Sequence, residues 1–228
     1  MNIAFISMVN YNFKVSNHCR NNVIEYIQKN KQMRTFRVVD VGGSHGGWSV
    51  NYIDAIVDFN DPLSDSNSKI KHFKCDITNP DSWNELLLYV ENNGKFDFCI
   101  CTHTLEDIMN PVYVAEQIQK ISKEGYVAVP SKYRELTRFE SGDKGYRGYI
   151  HHRWIFDIID NVFVGYPKIN YLDSTNIFDK VAKYDDNICD LSFFWKDKID
   201  IVYINNNYLG PNVESVKNYY NLLLADTV

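Results

Sequence analysis

The chain predicts an α/β fold: a doubly wound, mostly parallel sheet with helices on both faces and a C-terminal antiparallel hairpin. Three observations predict it. β-Branched runs alternate with helix-patterned stretches from about residue 36 to 130, as in parallel strands joined by crossover helices. A glycine-dense loop follows the first run, at the strand end where open α/β sheets meet their ligands. After about residue 155 the alternation gives way to β-rich runs around a short charged turn.

Met1 to Val9 is apolar but lacks a basic leader and a small-residue cleavage site. It reads as a strand or docking segment rather than a signal peptide. Phe36 to Val41 is the first β-branched strand, and Gly42 to Gly47 ends it. Asp54 to Phe59 is the second, closed by an Asn60-Asp61-Pro62 turn, and Ile70 to Asp76 the third. Trp83, Leu86, Leu87 and Val90 recur at helical spacing over 81–91, with Asp81 as N-cap and Gly94 as stop. Phe96 to Cys101 is a fourth strand, where alternation puts Cys99 and Cys101 on one face. Pro111 to Ile121 is an amphipathic helix and Gly125 to Pro130 a fifth strand. Asp190 to Trp195 and Ile199 to Ile204, joined by Lys196-Asp197-Lys198, predict the hairpin. Asn212 is placed to cap a last helix carrying Val213, Val216 and Leu222 to Leu224.

The 228 residues suit one domain. Its core spans 36–130, a substrate or lid region 131–155, and the hairpin and last helix 156–228. Hydrophobic residues at 45% with 14% aromatics supply a core, which excludes a disordered or coiled-coil chain. The net charge of −5 carries no basic patch, so nucleic acid is not an expected partner. No apolar stretch reaches the ~18 residues of a membrane helix. The five cysteines are odd in number and form no CxxC pair, which fits small buried side chains in a reducing cytoplasm.

The chemistry gathers at successive strand ends. The first strand delivers Asp40 and GGSHGG, glycines that let a ligand approach the backbone. The second ends in Asp58, suited to two ribose hydroxyls. The third ends in Asp76-Ile77, a carboxylate beside an apolar flank, as a nucleobase requires. The fourth runs into Thr102-His103-Thr104-Leu105-Glu106-Asp107. GGSHGG is not the GxGxxG of a dinucleotide site, and no full helix follows it.

Over residues 36 to 130 the chain resembles the class I S-adenosylmethionine-dependent methyltransferases, which have a Rossmann-like fold. VVDVGGSHGG stands where that family has its hhDhGxGxG loop, AIVD where an acid holds the ribose, and FKCDIT where an Asp meets the adenine. CTHTLEDIMNP is similar to its H-x-L-E-H-x-x-D-P segment. The resemblance implies S-adenosylmethionine as cofactor, with Asp40, Gly42, Gly43, Ser44 and Gly46 shaping the methionine end. Asp58 and Phe59 would flank the ribose, Asp76 and Ile77 the adenine, and Thr102 would close the set. Two features depart from the pattern. Ser44 replaces the middle glycine, and only Trp48 to Ile53 separates the loop from the second strand, where a crossover normally needs about a dozen residues.

A second constellation follows the fifth strand: Ser131 to Glu135, then Tyr146 to Trp154. His103, His151 and His152 fall at the mouth of the sheet, where imidazole can take a substrate proton. Arg134, Arg147 and Arg153 suit an anionic group, and Tyr146, Tyr149 and Trp154 suit a sugar or base. Gly142, Gly145 and Gly148 mark 140–148 as a candidate lid. The candidate catalytic set is therefore His103, Glu135, His151, His152 and Arg153. The bland reading makes the His pair partly core, and Glu106 and Glu135 helix caps or arginine partners. His45, His103, Asp107 and His151 or His152 have metal-ligand chemistry. They come from separate loops without HxxxH or HxH spacing, and no metal is expected. The expected function is methyl transfer to a small polar acceptor such as a sugar or nucleotide sugar. The alternatives are a cofactor-free binding module on the same fold, and a metal-dependent enzyme using His103, His151 and His152.

Overall fold

A computed structural model of the protein describes residues 13–17, 19–60, 69–140, 145–203 and 213–224. The expectations for Met1 to Val9, Asp61-Pro62, Gly142, Ile204, Asn212 and the tip of the lid lie outside them.

Five parallel strands form the centre: β2 (Val38–Val41), β3 (Ala55–Asp58), β4 (Lys71–Lys74), β5 (Phe96–Thr102) and β6 (Ser122–Pro130). Antiparallel β9 (Asp190–Lys196) adds to β6, and β1 (Lys14–Ser16) pairs antiparallel with β9 at the edge. The order is β1-β9-β6-β5-β2-β3-β4. Strand order thus reverses between β2 and β5.

Alternation along these strands builds two apolar layers. Val38, Ile56, Phe98 and Ile100 face helix α1 (Arg20–Met33), which buries Val23 and Ile27 against them. Val39, Val41, Val57, Cys99 and Cys101 face the other way, toward α2 (Asn84–Asn93) and α3 (Pro111–Ile121). Each such side chain removed from water contributes about 1.5–3 kcal/mol. Cys99 and Cys101 share a buried face as the alternation predicts, and none of the five cysteines is in a disulfide.

α3 has the expected limits because Asn110 caps Tyr113 N at 3.0 Å and Pro111 fixes the first turn. The preceding helix starts differently from expectation. Asn79, not Asp81, is the cap, and it opens a single 3₁₀ turn (Pro80–Trp83) before α2. Gly94 stops α2 at φ +76°, as expected.

The predicted C-terminal hairpin does not form. β9 pairs with β6 along its length and with β1 at Asp190–Ser192, while β10 (Ile201–Tyr203) pairs elsewhere. A tight turn at Asp197, φ +62°, sends β10 to a separate three-stranded sheet. There it pairs in parallel with β8 (Val162–Pro167), which forms a true hairpin with β7 (Trp154–Ile159). The linking residues, Asp160 and Asn161, both have positive φ (+49° and +62°), the backbone that a two-residue primed turn requires. Trp154, Phe156, Phe163 and Ile201 of this small sheet pack into the same apolar layer as β5 and β6. Tyr133, Leu136 and Tyr166 form a further cluster with Val216, Tyr220 and Leu223, carried by α5 (Val213–Tyr220) and the 3₁₀ turn after it. Among the described residues no helix is long and apolar enough to cross a membrane.

Candidate functional site

The switch between β2 and β5 sets the site, because the loops leaving these two strands diverge there and leave a crevice. The segment after β2 is Gly42 to Asp54, and it makes turns but no helix before β3 begins. The short crossover expected from the sequence is therefore real. Gly42 sits at φ +77°, and its amide donates to Val57 O at 2.8 Å. Gly47 N closes a turn on Ser44 O at 2.9 Å. Gly42, Ser44 and Gly46 are exposed, and a Cβ on Gly46 would touch nothing within 4 Å.

Asp40 does not reach this opening. It is 4% exposed, and Ser49 Oγ donates to its Oδ2. A Cβ on Gly43 would lie 2.4 Å from Asp40 Cγ. Asp40 thus holds the loop's shape from beneath, with Ser49 as a partner that no spacing rule singled out. Burial pushes its carboxyl up to about 6, against the hydrogen bond from Ser49.

Asp58 ends β3, with Oδ1 accepting from Asn60 N and Nδ2 at 2.8 and 2.9 Å. Its Oδ2 takes part in neither bond. Phe59 beside it is 66% exposed. Asp76 Oδ1 accepts from Thr78 N and Oγ1 at 2.9 and 2.7 Å. Ile77 rests on the core, and its carbonyl accepts from Trp83 Nε1 at 3.1 Å. Thr102 ends β5, and Thr104 Oγ1 bonds back to its carbonyl at 3.1 Å. Nine of the ten predicted cofactor residues belong to turns or strand ends at the carboxyl edge of β2 to β5, and Asp40 lies within β2 beneath them.

The second constellation divides. His103 follows β5 at φ +51°, with Nδ1 3.5 Å from Glu106 Oε1 and Nε2 3.5 Å from Asp190 Oδ1. Burial works against its charged form, but the two carboxylates more than offset this and push His103 up to about 10. At neutral pH the ring is an imidazolium, a donor rather than a proton acceptor. Glu106 is 1% exposed and burial raises its carboxyl.

Glu135 is 1% exposed at the end of α4 (Lys132–Glu135). Its oxygens are committed to His152 Nδ1 at 2.7 Å and Lys168 Nζ at 3.3 Å. It positions His152 rather than a ligand. His152 Nε2 and His151 Nε2 lie 3.6 and 3.9 Å from Asp107 Oδ1. His151 and Arg153 are exposed, while His152 is buried.

Two of the three arginines suited to an anionic group have other work. Arg147 is fully buried, tying Leu136 O, Leu172 O, Thr175 O and Asp179 together. The Arg134 guanidinium lies against both the Phe139 and Tyr184 rings, at 4.5 and 4.6 Å, and pairs with Asp186 at 3.3 Å. Trp154 is core, its Nε1 donating to Ile108 O at 2.7 Å. Tyr149 lies against both His152 and His151, with centroids 4.6 and 5.7 Å away. His45 is elsewhere, stacked on His72 at 5.6 Å. An open pocket of about 580 Å³ is lined by Arg138, Tyr146, Asn170 and Asp173, and by none of the strand-end residues.

The sequence matches no protein-family model and no curated protein. Among solved structures, the chain is similar to the N-terminal domain of EvdMO1 crystallised with SAH and D-fucose. The identity is 10%, coverage is 76% of this chain and 82% of that one, and the TM-score is 0.38. It is similar to the methyltransferase domain of bacterial CtHen1-CN at 10% identity, 78% and 100% coverage and TM-score 0.41. It is also similar to the magnesium protoporphyrin IX methyltransferase ChlM from Synechocystis with bound SAM, at 9% identity, 76% and 76% coverage and TM-score 0.37.

Proposed function

We propose that the protein transfers a methyl group from S-adenosylmethionine to a small polar acceptor of the sugar or nucleotide-sugar kind. The observation that carries this reading is the row of side chains along the carboxyl edge. An exposed glycine loop follows β2, Asp58 with Phe59 follows β3, and Asp76 with Ile77 follows β4.

These residues fit the cofactor at its nucleoside end. Asp58 Oδ2 is left for ribose hydroxyls, since Asn60 engages the other oxygen. Asp76 and Ile77 offer an acceptor and an apolar flank to the adenine. At the methionine end no helix N-terminus follows the loop, so the exposed backbone from Gly42 to Gly46 meets that charge instead.

When bound, the cofactor supplies a sulfonium methyl group that an oxygen or nitrogen nucleophile displaces in line. The chain's own residues then have the work of alignment. Tyr149 offers a ring face to the acceptor, and Arg153 an exposed cation. The nucleophile's proton leaves toward Asp107 and His151, since His103 is already protonated.

The short crossover favours a second reading, a binding module on this fold that has dispensed with the cofactor. One titration separates the two. The untagged chain is titrated with S-adenosylhomocysteine by calorimetry, with Asp58→Ala alongside. Micromolar binding, weakened at least tenfold in the variant with its melting temperature unchanged, is expected. An absence of heat and thermal shift at millimolar ligand would sink the methyl-transfer reading and leave the module.

A further inference from the structure

We propose that Asp107, His151 and His152 form a binding site for one divalent transition-metal ion, held by Asp107 Oδ1 and the Nε2 atoms of both imidazoles. One donor atom from each residue lies within 4.8 Å of the others. The Nε2–Oδ1 separations of 3.6 and 3.9 Å are too long for hydrogen bonds. They suit an ion between the atoms: two donors each ~2.1 Å from one metal stand ~3.0–3.5 Å apart at octahedral to tetrahedral angles. The two Nε2–Oδ1 separations exceed that range by a few tenths of an ångström, and the three donors together span no more than 4.8 Å.

Two further features point to a ligand at this spot. Asp107 Oδ1 is buried and has no hydrogen-bond partner, a condition that is costly when nothing compensates it. Glu135 Oε1 holds His152 Nδ1 at 2.7 Å. This fixes the proton on Nδ1 and leaves the Nε2 lone pair for the ion, the carboxylate–histidine–metal relay common to bound metals. Glu135 is itself anchored by Lys168, whose ammonium also donates to Tyr149 O at 2.5 Å. Tyr149 packs on both imidazoles and fixes their planes.

Two imidazoles and one carboxylate are borderline ligands, suited to Zn²⁺ or Fe²⁺ rather than Mg²⁺, and they leave coordination positions open. His151 and Asp107 keep 62% and 40% side-chain exposure, so those positions are reachable from solvent. If the methyl-transfer reading holds, an acceptor oxygen bound there would release its proton to solvent water under the ion's charge, and Asp107 and His151, the proton's destination in the ion-free chain, would act as ligands instead. Ion binding itself does not rest on that reading.

The test uses the untagged full-length chain, stripped with EDTA and titrated by calorimetry with zinc chloride alone, magnesium chloride serving as the hard-cation arm. One zinc per chain at micromolar affinity or tighter, with no magnesium heat, is the expected result. His151→Ala and Asp107→Asn should each weaken zinc at least tenfold, and Glu135→Gln about 10–100-fold. Removing the exposed His151 ring leaves the metal-free melting temperature unchanged, which keeps misfolding apart from ligand loss. Zinc binding of equal strength in His151→Ala, or none in the parent chain, overturns the site. Because no S-adenosyl compound is present, this result and that of the S-adenosylhomocysteine titration are independent.

Discussion

Gly42 and Thr104 meet across the point where strand order reverses. A Cβ on Gly42 would lie 2.3 Å from Thr104 Oγ1 and 2.7 Å from its Cγ2. Gly42 is also at φ +77°, so two physical demands select glycine there. The contact seals the floor of the crevice between the loop after β2 and the segment after β5.

Gly42→Ala should therefore destabilise the fold by about 2–4 kcal/mol, from the left-handed backbone and the overpacked contact together. Thermal unfolding measures it. In Gly42→Ala/Thr104→Ala the contact part should be relieved and the backbone part should remain. An unchanged melting temperature in the single variant would mean that the loop is not pinned at this point.

Asp40 gives a pH signature. Its folded value of about 6 lies above the ordinary 3.8 because burial disfavours the anion. The folded chain therefore binds the proton more tightly than the unfolded chain does. Below about pH 4 the group is protonated in both states and costs nothing. Between about pH 4 and 6 the unfolded chain ionises while the folded one stays protonated, so the cost grows, and above about 6 it levels off at about 3 kcal/mol. Asp40→Asn should match the parent near pH 4 and exceed it by up to that amount at pH 7. Urea midpoints across pH 4–7 decide it, and parallel curves for the two proteins would contradict it.

Lys132 Nζ and Asp157 Oδ2 form a buried pair at 2.9 Å, with side chains 2% and 6% exposed. Lys132→Met removes the ion-pair partner of a buried carboxylate and should cost about 3–5 kcal/mol. Lys132→Met/Asp157→Leu should recover most of that loss, since neither charge is then left alone. Equal losses in the single and double variants would show that packing, not charge, is what Lys132 provides.

The five parallel strands were legible in the sequence because each is a short run built around apolar side chains, with loop or turn residues after it. α3 was legible to the residue, since Asn110 and Pro111 mark its start. The missing crossover helix followed from the scarcity of residues between Trp48 and Ile53 alone. α1 gave no comparable signal. Only Val23 and Ile27 of its fourteen residues are buried, too few to draw an apolar stripe. β7 and β8 were overlooked although Asp160-Asn161 between two apolar runs is a hairpin signal. Arg147 looked like a ligand clamp, and the structure makes it a buried crosslink.

By itself, then, the sequence determined the parallel α/β framework and which strand end carries which carboxylate. Those depend on local propensity, side-chain alternation and chain length, and all three act between near neighbours. Tertiary structure alone decided that β10 leaves β9, that Glu135 stands behind His152, and that Asp107 faces both imidazoles. Each of these joins residues far apart in the chain. Their meeting depends on which edges and faces remain free once the core has packed, and no local pattern encodes that.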